Sequence, residues 1–328
     1  MAHTYNWDYL TSTTREKFVK KVEDNVYNSS AALKMFLMDG RVREYLKGGQ
    51  NVVQPVRGTK MTAHGNYANW DTMDITPPDN IEAAVYDWAN YYASIAISGD
   101  DEDKNMGEAA IVKLISERTQ EAEDVIKDDL GTDLFTGTGS NAWIGLATGI
   151  DTGTYAGIPG ATSTWWQSGS SATAHTEAQL LDSTDSTHYI IKLFQAAIRN
   201  ATHKSEFPNL IVTSLLIRDI YERALEMSAS YTKDVRSARG QMLGNAGFNV
   251  LEFRGIPVVG DELCPAGYVY FLNTNYVTIY THPNKNFKFT GFKEAVNQDG
   301  KVGQILFKSV LALSNRRMHY KYSGFPTS

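Results

Sequence analysis

Residues Phe253 to Pro283 read FRGIPVVGDELCPAGYVYFLNTNYVTIYTHP. Apolar side chains recur at a period of two through Ile256-Pro257-Val258-Val259 and again from Tyr268 to Tyr280. Asp261, Pro265 and Gly267 interrupt these runs, as turn residues do between short strands. Periodicity alone makes the segment a β-meander. Its wording is more particular: an aromatic and a basic residue, Gly-Ile-Pro-Val-Val, an acidic residue close behind, a Cys-Pro-Ala-Gly turn, then Tyr-Phe-Leu-Asn-Thr.

Working outward, Val250 to Phe253 and Gly255 to Val259 are strand-like, and Leu210 to Thr213 is a short run with the look of a buried strand. Helices are predicted over Leu215 to Met227 and over Tyr189 to Thr202, where Ile190, Ile191, Phe194, Ala197 and Ile198 repeat at 3.6 residues; Pro208 stops anything beyond. Gly137 to Ala174 is rich in Gly, Ser and Thr. Its Trp143, Ile144, Tyr155, Ile158, Trp165 and Trp166 nevertheless favour structured loop or strand over a flexible linker. A long helix is predicted from Glu108 to Phe135, with Ile111, Leu114, Ile115, Ala122, Val125 and Ile126 on one stripe. Near the N-terminus, Thr13 to Asn28 and Ala31 to Met38 have helical spacing, and Asp39-Gly40 ends the second. At the other end, Phe287 to Phe292 and Gln304 to Tyr322 read as long strands joined by the Asn297-Gln298-Asp299-Gly300 turn. No internal repeat is visible.

The stretch from Gly48 to Ser98 differs. Gly48-Gly49, Pro55, Gly58, Gly65 and Pro77-Pro78 punctuate extended runs such as Asn51 to Val56, and Glu82 to Ile97 alternates through Tyr86, Trp88, Tyr92, Ile95 and Ile97. Between them, Arg57 to Thr76 is polar, with only Met61, Tyr67, Trp70, Met73 and Ile75 to bury. Ordering each backbone residue costs roughly 1 to 2 kcal/mol, and only apolar burial at about 25 cal/mol per Å² offsets it. An arm without a core of its own finds that burial on another copy of the chain.

At 328 residues with 42% hydrophobic content, the chain can build a substantial core and exceeds one typical domain. A net charge of -6 argues against a large basic face for holding nucleic acid, though not against enclosing it. One cysteine, Cys264, excludes an intrachain disulfide framework and suits a reducing compartment. Met1 to Lys20 is too polar for a signal peptide, and no apolar run approaches a membrane span, so a soluble protein made in the cytoplasm is expected.

Chemistry-bearing patterns are few. Asp100 to Asp103 lacks the spacing and glycine of a calcium loop and reads as charge at a helix start. The seven histidines form no His-x-His or His-x3-His pair, so no metal site is expected. Cys264 between Leu263 and Pro265 reads as a small buried hydrophobe. Gly137-Thr138-Gly139 and Gly300-Lys301-Val302-Gly303 lack the lysine and spacing of a phosphate loop. Trp165-Trp166, as neighbours on a strand, would serve two packing layers rather than stack on a sugar. No catalytic residue and no cofactor are expected.

Nearly the whole chain resembles the major capsid proteins of tailed bacteriophages, whose fold is shared with encapsulin shells. The resemblance runs, in order, through GGQNVVQP into NYANWDTMDITPPD, AVYDWANYYASIAISGDDEDKN, GEAAIVKLISERTQEAEDVIKDDLGTDLFTGTG, TYAGIPGATSTWWQ, PNLIVTSLLIRDIYERALE and the segment quoted first. It implies an α+β fold with an N-terminal arm over 1–47, an extended hairpin loop over 48–99, a peripheral domain with a spine helix over 100–176 and 282–328, and an axial domain over 177–281. It further implies a virion shell of hexamers and pentamers around double-stranded DNA, bound without sequence specificity. The implied partners are a separate scaffolding protein, a portal and a decoration protein. Contacts between subunits are expected from Val52, Val53, Pro55, Tyr67, Trp70, Met73 and Ile75, with Arg57 and Lys60 as ion-pair partners. Two rivals are an encapsulin-like compartment with protein cargo and a secreted carbohydrate-binding β-protein.

Overall fold

The computed structural model describes residues 30–46, 49–58, 63–76, 80–100, 108–183, 189–227, 237–245, 250–294 and 298–327, with side chains of the helix that begins at Glu108 described from Arg118 onward. The helix expected over Thr13 to Asn28, and Lys60, lie outside these residues.

In chain order the helices are α1 (Ala31–Met38), α2 (Glu108–Thr136), α3 (Leu146–Gly149), α4 (Glu177–Leu181), α5 (Tyr189–Ala201), α6 (Leu215–Glu226) and α7 (Ala238–Asn245). The strands are β1 (Val42–Glu44), β2 (Val52–Arg57), β3 (Ile81–Tyr86), β4 (Ala89–Ser98), β5 (Gly169–Ser171), β6 (Leu210–Thr213), β7 (Val250–Phe253), β8 (Ile256–Gly260), β9 (Val269–Leu272), β10 (Val277–Thr281), β11 (Lys288–Phe289), β12 (Lys293–Glu294), β13 (Gly300–Leu313) and β14 (Tyr320–Tyr322). They form two six-stranded sheets and a two-stranded ribbon, β2 with β3.

One sheet runs β5-β14-β9-β6-β8-β7. All four residues of β6 and of β9 are buried, as expected when both faces of a sheet are covered. Ile211, Val258, Val269 and Phe271 pack on one face with Ile190, Phe194, Ile217 and Tyr221 of α5 and α6. Here Phe194 stacks on Tyr221 at 5.2 Å and meets Phe271 edge-on at 5.3 Å. Leu210, Val212, Val259, Tyr270 and Leu272 face the opposite core, which also holds Ile126, Leu130, Leu134 and Phe135 of α2.

The other sheet is built on the 14-residue strand β13, which pairs with β4 along one side and with β10, β11 and β12 along the other. The quoted meander is divided between the sheets. A 3-10 turn at Thr274–Tyr276 breaks the run from Tyr268 to Tyr280, sending β9 to the first sheet and β10 to the second. Gln304 to Tyr322 is likewise broken at Ser314-Asn315, so β13 and β14 belong to different sheets. Alternation along Glu82 to Ile97 also resets. Asp87 and Trp88 lie between β3 and β4, after which Ala89, Tyr91, Ala93, Ile95 and Ile97 are buried while Tyr92 is exposed. The expected phase through Tyr92 is thus corrected: a bend between two strands restarts the period.

Three buried polar groups lock the parts together. Asp261, in the β8–β9 turn, sits at the N-terminus of α1, where its Oδ2 accepts from Ser30 Oγ at 2.5 Å and from the Ala31 amide at 3.1 Å. Burial pushes its carboxyl above the usual range while these bonds oppose the shift. Arg316, fully buried, donates through Nε to the carbonyl of Gly149 at 2.6 Å, through Nη2 to that of Asp151 at 2.6 Å and through Nη1 to that of Gly153 at 3.0 Å. Its guanidinium lies 5.0 Å from the centre of the Tyr155 ring and 5.9 Å from that of Trp166.

His319 is the third. Its Nδ1 accepts from the Asn273 amide at 3.2 Å, and burial, aided by Arg316, lowers its pKa from 6.5 to about 3. An unfolded histidine therefore takes a proton between pH 6.5 and 3 that the folded one refuses, so stability falls on acidification. Urea unfolding of the unassembled subunit should show His319 accounting for about 3 kcal/mol of the loss between pH 7 and pH 4, since a tenfold difference in proton affinity is worth about 1.4 kcal/mol. His319→Gln should flatten that part of the profile; an unchanged slope would exclude this origin.

Candidate assembly surface

The ribbon is rooted in the subunit core at one end. Register sets Val52 opposite Tyr86 and Arg57 opposite Ile81. At the root, Val52 is 1% exposed and Tyr86 is buried, its Oη donating to the Leu313 carbonyl at 2.9 Å and its ring meeting Tyr155 edge-on. Val52 thus belongs to the subunit's own core and is withdrawn from the expected contact residues, because its side chain points to the face that packs on Tyr86's neighbours. Val53, Pro55, Arg57 and Ile81 are exposed.

Along its length the ribbon rests on the loop before β5. The Val85 amide donates to the Ala156 carbonyl at 2.9 Å, and Ser163 Oγ to Glu82 Oε1 at 3.4 Å. Trp165 lies over Gly58: a Cβ there would come within 2.4 Å of the indole. Trp165 and Trp166 do serve two layers, Trp166 in the core and Trp165 under the ribbon, but from a 3-10 turn rather than a strand. Gly58→Ala should force the indole aside and destabilise this seat by about 1 to 3 kcal/mol, as overpacking does. Faster hydrogen exchange at the ribbon amides, with the rest of the subunit unaffected, is the expected readout.

Beyond Gly58 and Asn80, whose amide and carbonyl still pair at 2.9 Å, the arm leaves the body. Residues 64–76 are all exposed. Their hydrogen bonds close local turns: the Ala68 amide donates to Asp71 Oδ2 at 2.7 Å, and the Thr76 amide and hydroxyl donate to Asp74 Oδ1 at 2.9 and 2.7 Å. Trp70 is 98% exposed and Ile75 92%, with Tyr67 and Met73 also open to solvent. Burying a large apolar side chain is worth roughly 1.5 to 3 kcal/mol, and the arm leaves four of them open to solvent between Tyr67 and Ile75. Of the expected contact residues, the structure therefore brings Tyr67, Trp70, Met73 and Ile75 together on one exposed arm, and sets Val53, Pro55 and Arg57 along the ribbon that carries it.

Sequence reasoning passed over Ile81, Tyr92 and Leu46, all exposed. Ile81 falls just outside the run read from Glu82 to Ile97, and only the register sets it opposite Arg57; Tyr92 was hidden by the phase reset.

Other chemistry is sparse. Cys264 is buried, its Sγ near the carbonyls of Pro265 and Tyr268, and burial pushes its thiol well above the ordinary range, so thiolate chemistry is suppressed. Among the described residues no group of three potential ligands is placed to hold a metal ion, and no helix is long and apolar enough to cross a membrane. Of the acidic run only Asp100 lies within the described residues.

No protein-family model matches the chain, and no curated protein matches it. Solved structures do. The chain is similar to the capsid protein of Cyanophage A-1(L), with a TM-score of 0.62 at 17% identity over 92% of this chain and 93% of that one. It is similar to the capsid of a native GTA particle, with a TM-score of 0.59 at 12% identity over 89% and 91%. It is also similar to the SrpI encapsulin of Synechococcus elongatus, with a TM-score of 0.51 at 12% identity over 90% and 88%. At such identities the likeness is one of fold: the chain has the α+β major capsid fold of tailed phages, shared with encapsulins.

Proposed function

We propose that this protein is the major capsid protein of a tailed bacteriophage, self-assembling through hexamers and pentamers into the icosahedral or prolate shell that encloses double-stranded DNA. The observation that carries this reading is the arm: a segment with Trp70 and Ile75 almost wholly exposed, borne on a ribbon rooted in a subunit with a shell-protein fold. Interfaces of this kind gain strength by repetition, each weak contact being multiplied over a closed assembly. The domain limits go with the reading: arm 1–47, hairpin loop 48–99, peripheral domain 100–176 with 282–328, axial domain 177–281.

The same reading assigns the chain a virion location, no enzymatic activity and no cofactor, with a scaffolding protein, a portal and a decoration protein as partners. A net charge of -6 fits DNA held by enclosure rather than by a basic lining. Electron microscopy of the purified recombinant chain should show closed particles. A monodisperse monomer under all conditions would reject the proposal. The encapsulin reading is supported by a smaller structural overlap than the phage reading, and protein cargo in place of DNA in native particles would favour it.

A further inference from the structure

The chain turns back on itself between α5 and β6, where the His203 amide donates to the Glu206 carbonyl at 2.9 Å and the Glu206 amide to the His203 carbonyl at 3.1 Å. This turn, the β7–β8 turn, the start of α7 and the 3-10 turn at Thr274–Tyr276 enclose a cavity of about 370 Å³. Small-molecule sites occupy roughly 300 to 1,000 Å³, so there is room for a ligand. Among the described residues, none from the ribbon or the arm lines it.

Two asparagines brace the cavity and are saturated in doing so. Asn273 Oδ1 accepts from Asn209 Nδ2 at 3.3 Å and from the Asn275 amide at 3.1 Å. Its Nδ2 donates to the Phe207 carbonyl at 3.0 Å and to Glu206 Oε2 at 3.4 Å. Asn209 Oδ1 accepts from the Thr274 amide at 3.0 Å. The other polar groups keep hydrogen-bonding capacity. Asn275 uses its Oδ1 to accept from Arg41 Nη2, which leaves its own Nδ2 without a partner in the subunit. Glu206 Oε1 and the Ser205 hydroxyl likewise have none.

Charge narrows the class of ligand. The described wall carries one acid, Glu206, and one base, Arg239, and the base is already partnered, its Nη2 lying 3.3 Å from Asp39 Oδ2. An ion of either sign gains no net attraction from such a wall. A hydroxyl, which both donates and accepts, satisfies Glu206 Oε1 and Asn275 Nδ2 alike. The cavity also has an apolar side. Phe207, 53% exposed, lines it together with Ile256. The face of an aromatic ring is negatively polarised, so it takes the C–H face of a sugar ring well.

We propose that this cavity binds a neutral saccharide of one or two rings, with Glu206 and Asn275 bonding its hydroxyls and Phe207 stacked on one ring. The site lies within a single subunit, so it stands or falls apart from the shell reading. In a closed shell, repetition turns a weak sugar contact into firm attachment to a glycan-bearing surface.

The test is saturation-transfer NMR and calorimetry on the full-length chain with glucose, galactose, N-acetylglucosamine and maltose, and with tetraglycine as a peptide probe. At least one sugar should bind with a Kd of about 1 mM or lower. Phe207→Ala and Glu206→Gln should each weaken it about tenfold, equivalent to ~1.4 kcal/mol, with the thermal midpoint of the parent. Tyr92→Ala, which removes an exposed aromatic ring elsewhere, should leave the affinity unchanged. Absence of binding by all four sugars overturns the proposal, as does binding of tetraglycine alone. Parental sugar affinity in the doubly substituted Phe207→Ala, Glu206→Gln chain overturns it too.

Discussion

A chain in which Gly58 is joined directly to Asn80 is expected to fold with the thermal midpoint of the parent and to form no particles. The two residues already pair across the end of the ribbon, and Arg57 opposite Ile81 leaves a two-residue Gly-Asn connection of the kind tight hairpins use. What is removed includes Trp70, Met73 and Ile75, which touch little of their own subunit, so the subunit core loses almost nothing. On the proposed shell function, assembly loses the apolar surface that the arm offers to a neighbour. Repeated in every subunit, a deficit of even about 3 kcal/mol per contact lowers each association step more than a hundredfold. Amide exchange gives the companion result: residues 63–76 should exchange quickly in the unassembled parent and slowly in particles. Normal particles from the excised chain would refute the role of the arm.

Replacing Arg316 by Leu should lower unfolding free energy by about 3 to 5 kcal/mol, because three charge-assisted bonds from a buried guanidinium are lost together. Leu matches part of the volume but offers no donor to Gly149, Asp151 or Gly153. The loop they belong to leads into Tyr155 and Trp166, and these in turn support the root of the ribbon through Tyr86. Chemical denaturation of the unassembled subunit measures the loss. A change below about 1 kcal/mol, the range of an ordinary surface substitution, would mean that the guanidinium is not the centre of this junction.

Much of the architecture was legible in the residues. The helices at Ala31, Glu108, Tyr189 and Leu215 and the strands at Val52, Leu210 and Val250 were each marked by a local period or a turn residue. The errors share one cause. Tyr268 to Tyr280 and Gln304 to Tyr322 looked like single runs, because both sides of each break are apolar strand and nothing local shows where the chain changes sheet. Val52 looked like its neighbour Val53. Alternation distinguishes the two faces of a ribbon but not which of them lies on the core.

Composition and local pattern were enough to decide that this polypeptide is a mixed α+β protein with an arm too poor in apolar residues to fold on itself, because propensity and burial capacity are properties of short windows. Only the tertiary structure decided that Arg316 joins a distant loop, that Asp261 holds the start of a helix, and that Lys288, Lys293 and Tyr92 share one face. Those groups are far apart along the chain. Strand register and packing, which depend on every element at once, bring them together.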